Sequence, residues 1–416
     1  MNKYKSHSYR LLDIVALIFL LFSLVWCVLY FFFPGTGQDG VFFCHAKTNH
    51  YYDFFVPRAV ARMPIPYVMD AFSNKIDPPC VKRVIQCYPA LSNFWVGLFP
   101  ENLVGAFGCT LIGAGVFICG LIVFFRQYIR ERSFLATALV CCSAPFLFAA
   151  TVGNLILYAV GFALVFLAWY NSTSQWRRFM AALSLAVATV LKITPVLLGL
   201  LYLGTGWRGR IKYIFISAFS AILLFSIPFL FCGGVSAWFE NAVLMNHSGQ
   251  FANANGFGWF GLVHMLVKSF TMSDIPFVYL RILRLFSSCF GLVVLVLGCV
   301  GKDSWTRGCG VVLGMLLIPP TMMGYTALYI IPFVVIGMCH VSSRIRGISV
   351  AYFLSLSVLV QMPLFLGPCG SLNACIAAAA SIDMAIAVSS LSVVEFRHDN
   401  LTVSCNDKKC LGAVEE

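Results

Sequence analysis

Charge is what this sequence has least of. Only 11% of its 416 residues are Asp, Glu, Lys or Arg, against 60% hydrophobic and 15% aromatic. A soluble domain carries about 25% charged residues, so the polar coat that a water-soluble fold needs is missing. Acidic residues are scarcest, 16 against 28 basic ones, which leaves a formal net charge of +12. That excess does not suit nucleic acid, because the basic residues are strewn along the chain in pairs and triplets. Also absent are a Walker loop, a dinucleotide fingerprint and a His-Glu-x-x-His metal motif. No internal repeat and no long central inner loop divide the chain, as they would in many two-half transporters. No small-residue cleavage site follows the run Leu11–Phe33, so that run is expected to be an uncleaved first span.

What the sequence does have is apolar runs long enough to cross a bilayer, for which about 20 residues suffice. After Leu11–Phe33 comes a long polar-aromatic outer loop, 34–101, and then a span near Asn102–Phe125. Phe134–Ala150 and Leu155–Tyr170 form a hairpin around Thr151–Asn154. Two short runs, Phe179–Leu191 and Pro195–Leu203, meet at Lys192–Thr194, and Tyr213–Phe231 is a full span before a second outer loop, 232–258. Ile275–Val300, the short pair Cys309–Ile318 and Ala327–Cys339, then Ile348–Leu366 and Ala374–Val394 complete a set of about twelve segments. The chain is therefore expected to be all-α, a polytopic transmembrane helical bundle. With both termini cytoplasmic, most Lys and Arg fall in inner connections, while the outer turns 151–154, 232–258, 319–326 and 367–373 carry none. Residues 396–416 form a cytoplasmic tail.

Most of the 17 cysteines lie inside apolar runs, where a thiol is a small filler. Cys44, Cys80 and Cys87 share the first outer loop and would allow one disulfide there in an oxidising compartment. Asn246-His247-Ser248 is an outward sequon of consequence only in a eukaryotic lumen.

This topology gathers particular polar residues on the outer face. Asp53 sits among aromatics in Tyr51-Tyr52-Asp53-Phe54-Phe55, ahead of an amphipathic stretch. It reads either as the N-cap of a surface helix or as a general base whose pKa rises by partial desolvation. Lys192 interrupts an apolar run just before Pro195. It reads as a snorkelling lysine or as a phosphate contact in a cavity lined by broken helices. Asn154 follows Gly153 in the hairpin turn, and His247, Asn253 and Asn255 lie in an amide-rich loop whose groups suit sugar hydroxyls or simply face water. Arg281 and Arg284 are about one helical turn apart and suit lipid headgroups or a phosphate. Tyr325 stands near the outer end of its hairpin, where tyrosines also anchor interfaces. Asp383, in the last span, is an intramembrane carboxylate and the best argument for a rival reading as a twelve-span secondary transporter.

Four places resemble glycosyltransferase family 87, within the GT-C class of membrane glycosyltransferases. They are Asp53-Phe54 with Pro66-Tyr67 and Tyr88-Pro89, the Gly153-Asn154 turn, Leu191-Lys192-Ile193-Thr194-Pro195 with Gly206-Trp207-Arg208, and the Asn-rich loop before Trp259-Phe260-Gly261-Leu262. The likeness covers about residues 10–340. It departs from the family at Asn154, where a glutamine is usual. It implies one GT-C-type domain over 1–395 that transfers a sugar, mannose or another hexose or pentose, from a polyprenyl-phosphate donor to a lipid or glycan acceptor outside the cytoplasm. In that implied scheme Asp53 is the base. Lys192, Arg281 and Arg284 meet the donor phosphate, and Asn154, His247, Asn253, Asn255 and Tyr325 meet sugar or acceptor. No metal or other cofactor is implied, since Asp53 lacks a paired acid. The expected setting is a bacterial plasma membrane rather than endoplasmic reticulum. An envelope polysaccharide polymerase or ligase is the other alternative; the carboxylate-bearing loop directly after the first span argues against it.

Overall fold

The computed structural model describes residues 12–18, 21, 54, 89–203, 210–231, 277–301, 304–318 and 324–340. Among these residues the fold is helical and no strand occurs. In chain order the helices are α1 (Ala90–Gly97), α2 (Leu103–Tyr128), α3 (Ser133–Cys141), α4 (Ala144–Val152), α5 (Ile156–Trp169) and α6 (Gln175–Leu191). A 3-10 segment, Thr194–Leu203, follows α6. Then come α7 (Ile211–Ser226), α8 (Phe277–Val300), α9 (Ser304–Leu317), a 3-10 turn over Gly324–Tyr329, and α10 (Ile331–His340).

Two stretches, Leu103–Tyr128 and Ile211–Leu230, are helical, long and apolar enough to cross a membrane. They match the expected spans near Asn102–Phe125 and at Tyr213–Phe231. Their outward faces are apolar: Val104, Phe107 and Leu111 on α2, and Phe215, Phe219 and Ile222 on α7, are all exposed. An unbroken apolar stripe of this kind is costly against water and costs nothing against lipid. The full count of twelve segments and the sidedness of the termini rest on residues outside those described, including Ile348–Leu366, Ala374–Val394 and Asp383.

Local chemistry sets the breaks. The arm expected as one segment, Phe134–Ala150, is two helices. Ser143 is extended, Pro145 lies in the first turn of α4, and the Ser143 hydroxyl donates to the Val140 carbonyl at 2.6 Å. Proline has no N–H to give α3, so the helix ends and a new one begins. At the other end of α4, Gly153 takes φ 68, the left-handed geometry that lets the chain reverse into α5. The run Pro195–Leu203 is a 3-10 segment rather than an α-helix, and it turns back along α6.

Close approach holds the bundle together. A Cβ on Gly120 would collide with the Gly161 carbonyl, and one on Gly161 would lie 2.7 Å from the Val116 carbonyl oxygen. So α2 and α5 meet backbone to backbone. The same holds for α8 and α9, where a Cβ on Gly298 would lie 2.7 Å from the Gly310 carbonyl carbon. Small residues at crossings are how helices pack when lipid removes the hydrophobic driving force between them. Around these crossings Phe117, Phe124, Phe125, Phe166 and Phe333 fill the core. Gly161→Ala is expected to lower the thermal midpoint in detergent by the equivalent of about 1–3 kcal/mol. Gly115→Ala, where a Cβ meets open space, is expected to leave the midpoint unchanged or slightly raised. Equal midpoints for the two variants would disprove the backbone contact.

Candidate functional site

The break after α6 collects polar groups. Its last carbonyls would be unpaired in an apolar medium. The Ser92 hydroxyl of α1 supplies one partner, donating to the Leu191 carbonyl oxygen at 2.8 Å. Lys192 caps the helix with extended backbone (φ −147, ψ 122) and its N–H bonds the Ala188 carbonyl at 3.0 Å. A cation is also favoured there by the helix dipole. The Lys192 side chain is half-buried, and its ammonium lies 5.9 Å from the centroid of the Tyr325 ring. Two residues singled out separately from sequence are thus in contact. A cation over an aromatic face is held by about 0.5–1 kcal/mol at an exposed site, and by more once desolvated.

The 3-10 turn that carries Tyr325 packs on α4 and α5, so the Gly153-Asn154 turn belongs to the same end of the bundle. Asn154 is 2% exposed and its Oδ1 accepts from the Ile156 N–H at 2.8 Å, which closes the first turn of α5. This is a structural duty that the sequence reading did not assign to it. The turn also brings in groups that the sequence reading missed. Tyr329, fully buried, points its hydroxyl at Thr194 without closing a hydrogen bond. Asn93, next to Ser92 in α1, has a buried Oδ1 with no partner. An apolar residue four positions after Tyr325 would have raised no question; a second tyrosine there was the available signal.

Beneath this cluster lies a small second core of Phe54, Val96, Ala106, Cys109, Leu155, Tyr158, Ala159 and Leu191. Phe54 is completely buried in it. The cluster contains the neighbours in sequence of Asn154 and Lys192, and Phe54 is the neighbour of Asp53. Asp53, His247, Asn253 and Asn255 themselves lie outside the described residues. Arg281 and Arg284 lie within α8, with their side chains outside those described. The described part of the site is thus Lys192, Tyr325, Thr194, Tyr329 and the Asn154 turn, a cation against hydroxyl and amide groups at a break between helices.

The family model for glycosyltransferase family 87 matches residues 91–323, more than half of the chain. No curated protein matches the sequence. The matched region includes Asn154, Lys192, His247, Asn253, Asn255, Arg281 and Arg284; Asp53 lies before it and Tyr325 just after. Asn154→Ala is expected to lower the thermal midpoint, because a lost cap costs about 1 kcal/mol. A midpoint unchanged from wild type would remove Asn154 from the structural role given it here.

Proposed function

The chain belongs to glycosyltransferase family 87, and on that premise we propose that it is a multi-pass membrane enzyme using a polyprenyl-phosphate sugar as donor. The acceptor is a lipid or glycan on the non-cytoplasmic face, and the sugar is mannose or another hexose or pentose. The observation that carries this reading is the Lys192–Tyr325 pair at a helix break. A half-buried ammonium held over a ring, with hydroxyls around it, suits a leaving group that departs as an anion. The apolar outer stripes of α2 and α7 suit the long lipid tail of such a donor.

The step is a single inverting displacement. The Asp53 carboxylate takes the proton of an acceptor hydroxyl as its oxygen bonds to the anomeric carbon. The bond from that carbon to the phosphate oxygen breaks, and the electron pair leaves with polyprenyl phosphate. Lys192, with Arg281 and Arg284, offsets the charge that develops on the phosphate, and fixed charge in a dry cavity is usually the largest catalytic contribution. His247, Asn253 and Asn255 orient sugar hydroxyls, Tyr325 holds Lys192 in place, and Asn154 shapes the turn beside them. Burial of Phe54, next to Asp53 in sequence, in one core with Leu155 and Leu191 supports Asp53 in this role.

Transfer is measured with membranes and radiolabelled polyprenyl-phosphate sugars. Asp53→Asn is expected to cut turnover by about a hundredfold to ten-thousandfold with expression intact; near-normal transfer would reassign the base. Lys192→Ala is expected to weaken use of the donor. Tyr325→Phe keeps the ring face and is expected to stay close to wild type, whereas Tyr325→Ala is expected to raise the donor KM. The pair's role fails if both tyrosine variants behave alike.

A further inference from the structure

At the opposite end of α6, ~25 Å from Lys192 at 1.5 Å per residue, three arginines come from three different helix starts. Arg178 is in the first turn of α6, Arg210 immediately precedes α7, and Arg307 is in the first turn of α9. Arg210 is half-buried and feels the charges of both Arg307 and Arg178. Arg307 is 8% exposed, with its Nε donating to the Gly301 carbonyl. The guanidinium carbon of Arg178 stands 5.3 Å from the Tyr213 ring centroid, and Lys212 lies 5.1 Å from the same ring. Tyr202 stacks on Tyr213 at 6.2 Å between centroids and meets Tyr170 edge-on at 6.4 Å.

Like charges do not gather without a reason, and the stretch that supplies Arg178 and Arg210 offers them no acid. Between Glu131 and Glu240 the sequence has no carboxylate, while it carries Arg132, Arg177, Arg178, Lys192, Arg208, Arg210 and Lys212. The cluster also leaves donors unused. Arg178 Nε and Arg210 Nη1 are buried without a hydrogen-bond partner. The Tyr202 hydroxyl, on a side chain 0% exposed, is likewise unpartnered among the same charges. Each such donor costs about 1–3 kcal/mol, more when it is charged. Three N-terminal helix ends add partial positive charge at this point.

We propose that Arg178, Arg210 and Arg307, with the Tyr202 hydroxyl, form a phosphate-binding site, separate from the donor site and on the side that the charge bias assigns to the cytoplasm. A phosphate oxygen accepts what these groups offer, and the planar fork of a guanidinium fits two of its oxygens at once. Two sources carry that group, a phospholipid headgroup and free phosphate. Exposed Trp176 and Ile211 at this same end favour the headgroup, because tryptophan and aliphatic side chains at an interface leave room for acyl chains.

The test is the thermal midpoint of the purified full-length protein in neutral detergent. Inorganic phosphate is titrated against chloride at matched ionic strength. In parallel, micelles are doped with phosphatidylglycerol or with diacylglycerol of the same chains. The expected result is a saturable rise with a phosphate-bearing probe and none with its control. A rise with phosphatidylglycerol alone identifies the lipid, and one with inorganic phosphate identifies a soluble source. Arg178→Gln/Arg210→Gln is expected to weaken the response at least about tenfold. Tyr202→Phe, which keeps every charge and ring, is expected to weaken it a few-fold and stands in if the double variant does not fold. The proposal is overturned if neither probe raises the wild-type midpoint above its control, or if the folded variants respond as wild type does.

Discussion

The structure turns on one constraint: a helix that ends inside an apolar medium exposes carbonyls and N–H groups that no water will satisfy. The chain answers with short hydroxyl and amide side chains. Ser92 bonds the end of α6 through Leu191. Ser288 bonds the end of α9 through the Ile318 carbonyl at 2.8 Å, with Ser287 on the Leu317 carbonyl at 3.3 Å. Asn154 closes the start of α5. Every break that is sealed in this way also admits polar groups to a region that would otherwise be hydrocarbon. The break after α6 holds a cation, two tyrosines and a threonine.

Sealing the breaks from neighbouring helices also makes the site rigid. Lys192 is not free to wander like a surface lysine, since its backbone is tied to Ala188 and its ammonium to the face of Tyr325. The element carrying Tyr325 is in turn seated on α4 and α5. Glycine contacts bring α5 against α2 at Gly120 and Gly161, and α8 against α9 at Gly298 and Gly310. Packing, capping and charge placement therefore depend on one another at this end of the bundle. At the other end of α6 the arginines meet on a scaffold of stacked tyrosines, so a single helix runs between two cationic groupings of different make.

The long helices α2 and α7 were legible from their apolar runs, and their observed limits differ from the expected ones by a few residues. The break at Lys192 was legible too, from a charged residue and a proline close together. The break at Ser143 was not, because one proline in an apolar run can kink a helix or end it, and the choice depends on what receives the freed carbonyl. Nor does any sequence pattern distinguish the 3-10 form of Thr194–Leu203 from an α-helix of the same length. Asn154 was legible as a polar turn residue, while its bond to Ile156 was not, since a capping amide and a ligand-binding amide read alike in one dimension.

What the sequence determined by itself was the helical, apolar character and the family: scarce charge and long apolar runs give helices apolar enough to cross a membrane, and the order of motifs marks a glycosyltransferase of family 87. What only the tertiary structure decided was adjacency. That Lys192 meets Tyr325 across more than a hundred residues, and that Arg178, Arg210 and Arg307 share one corner, follows from how helices cross. Crossing is set by glycine contacts and sealed helix ends, which act between segments and so leave no local signature along the chain.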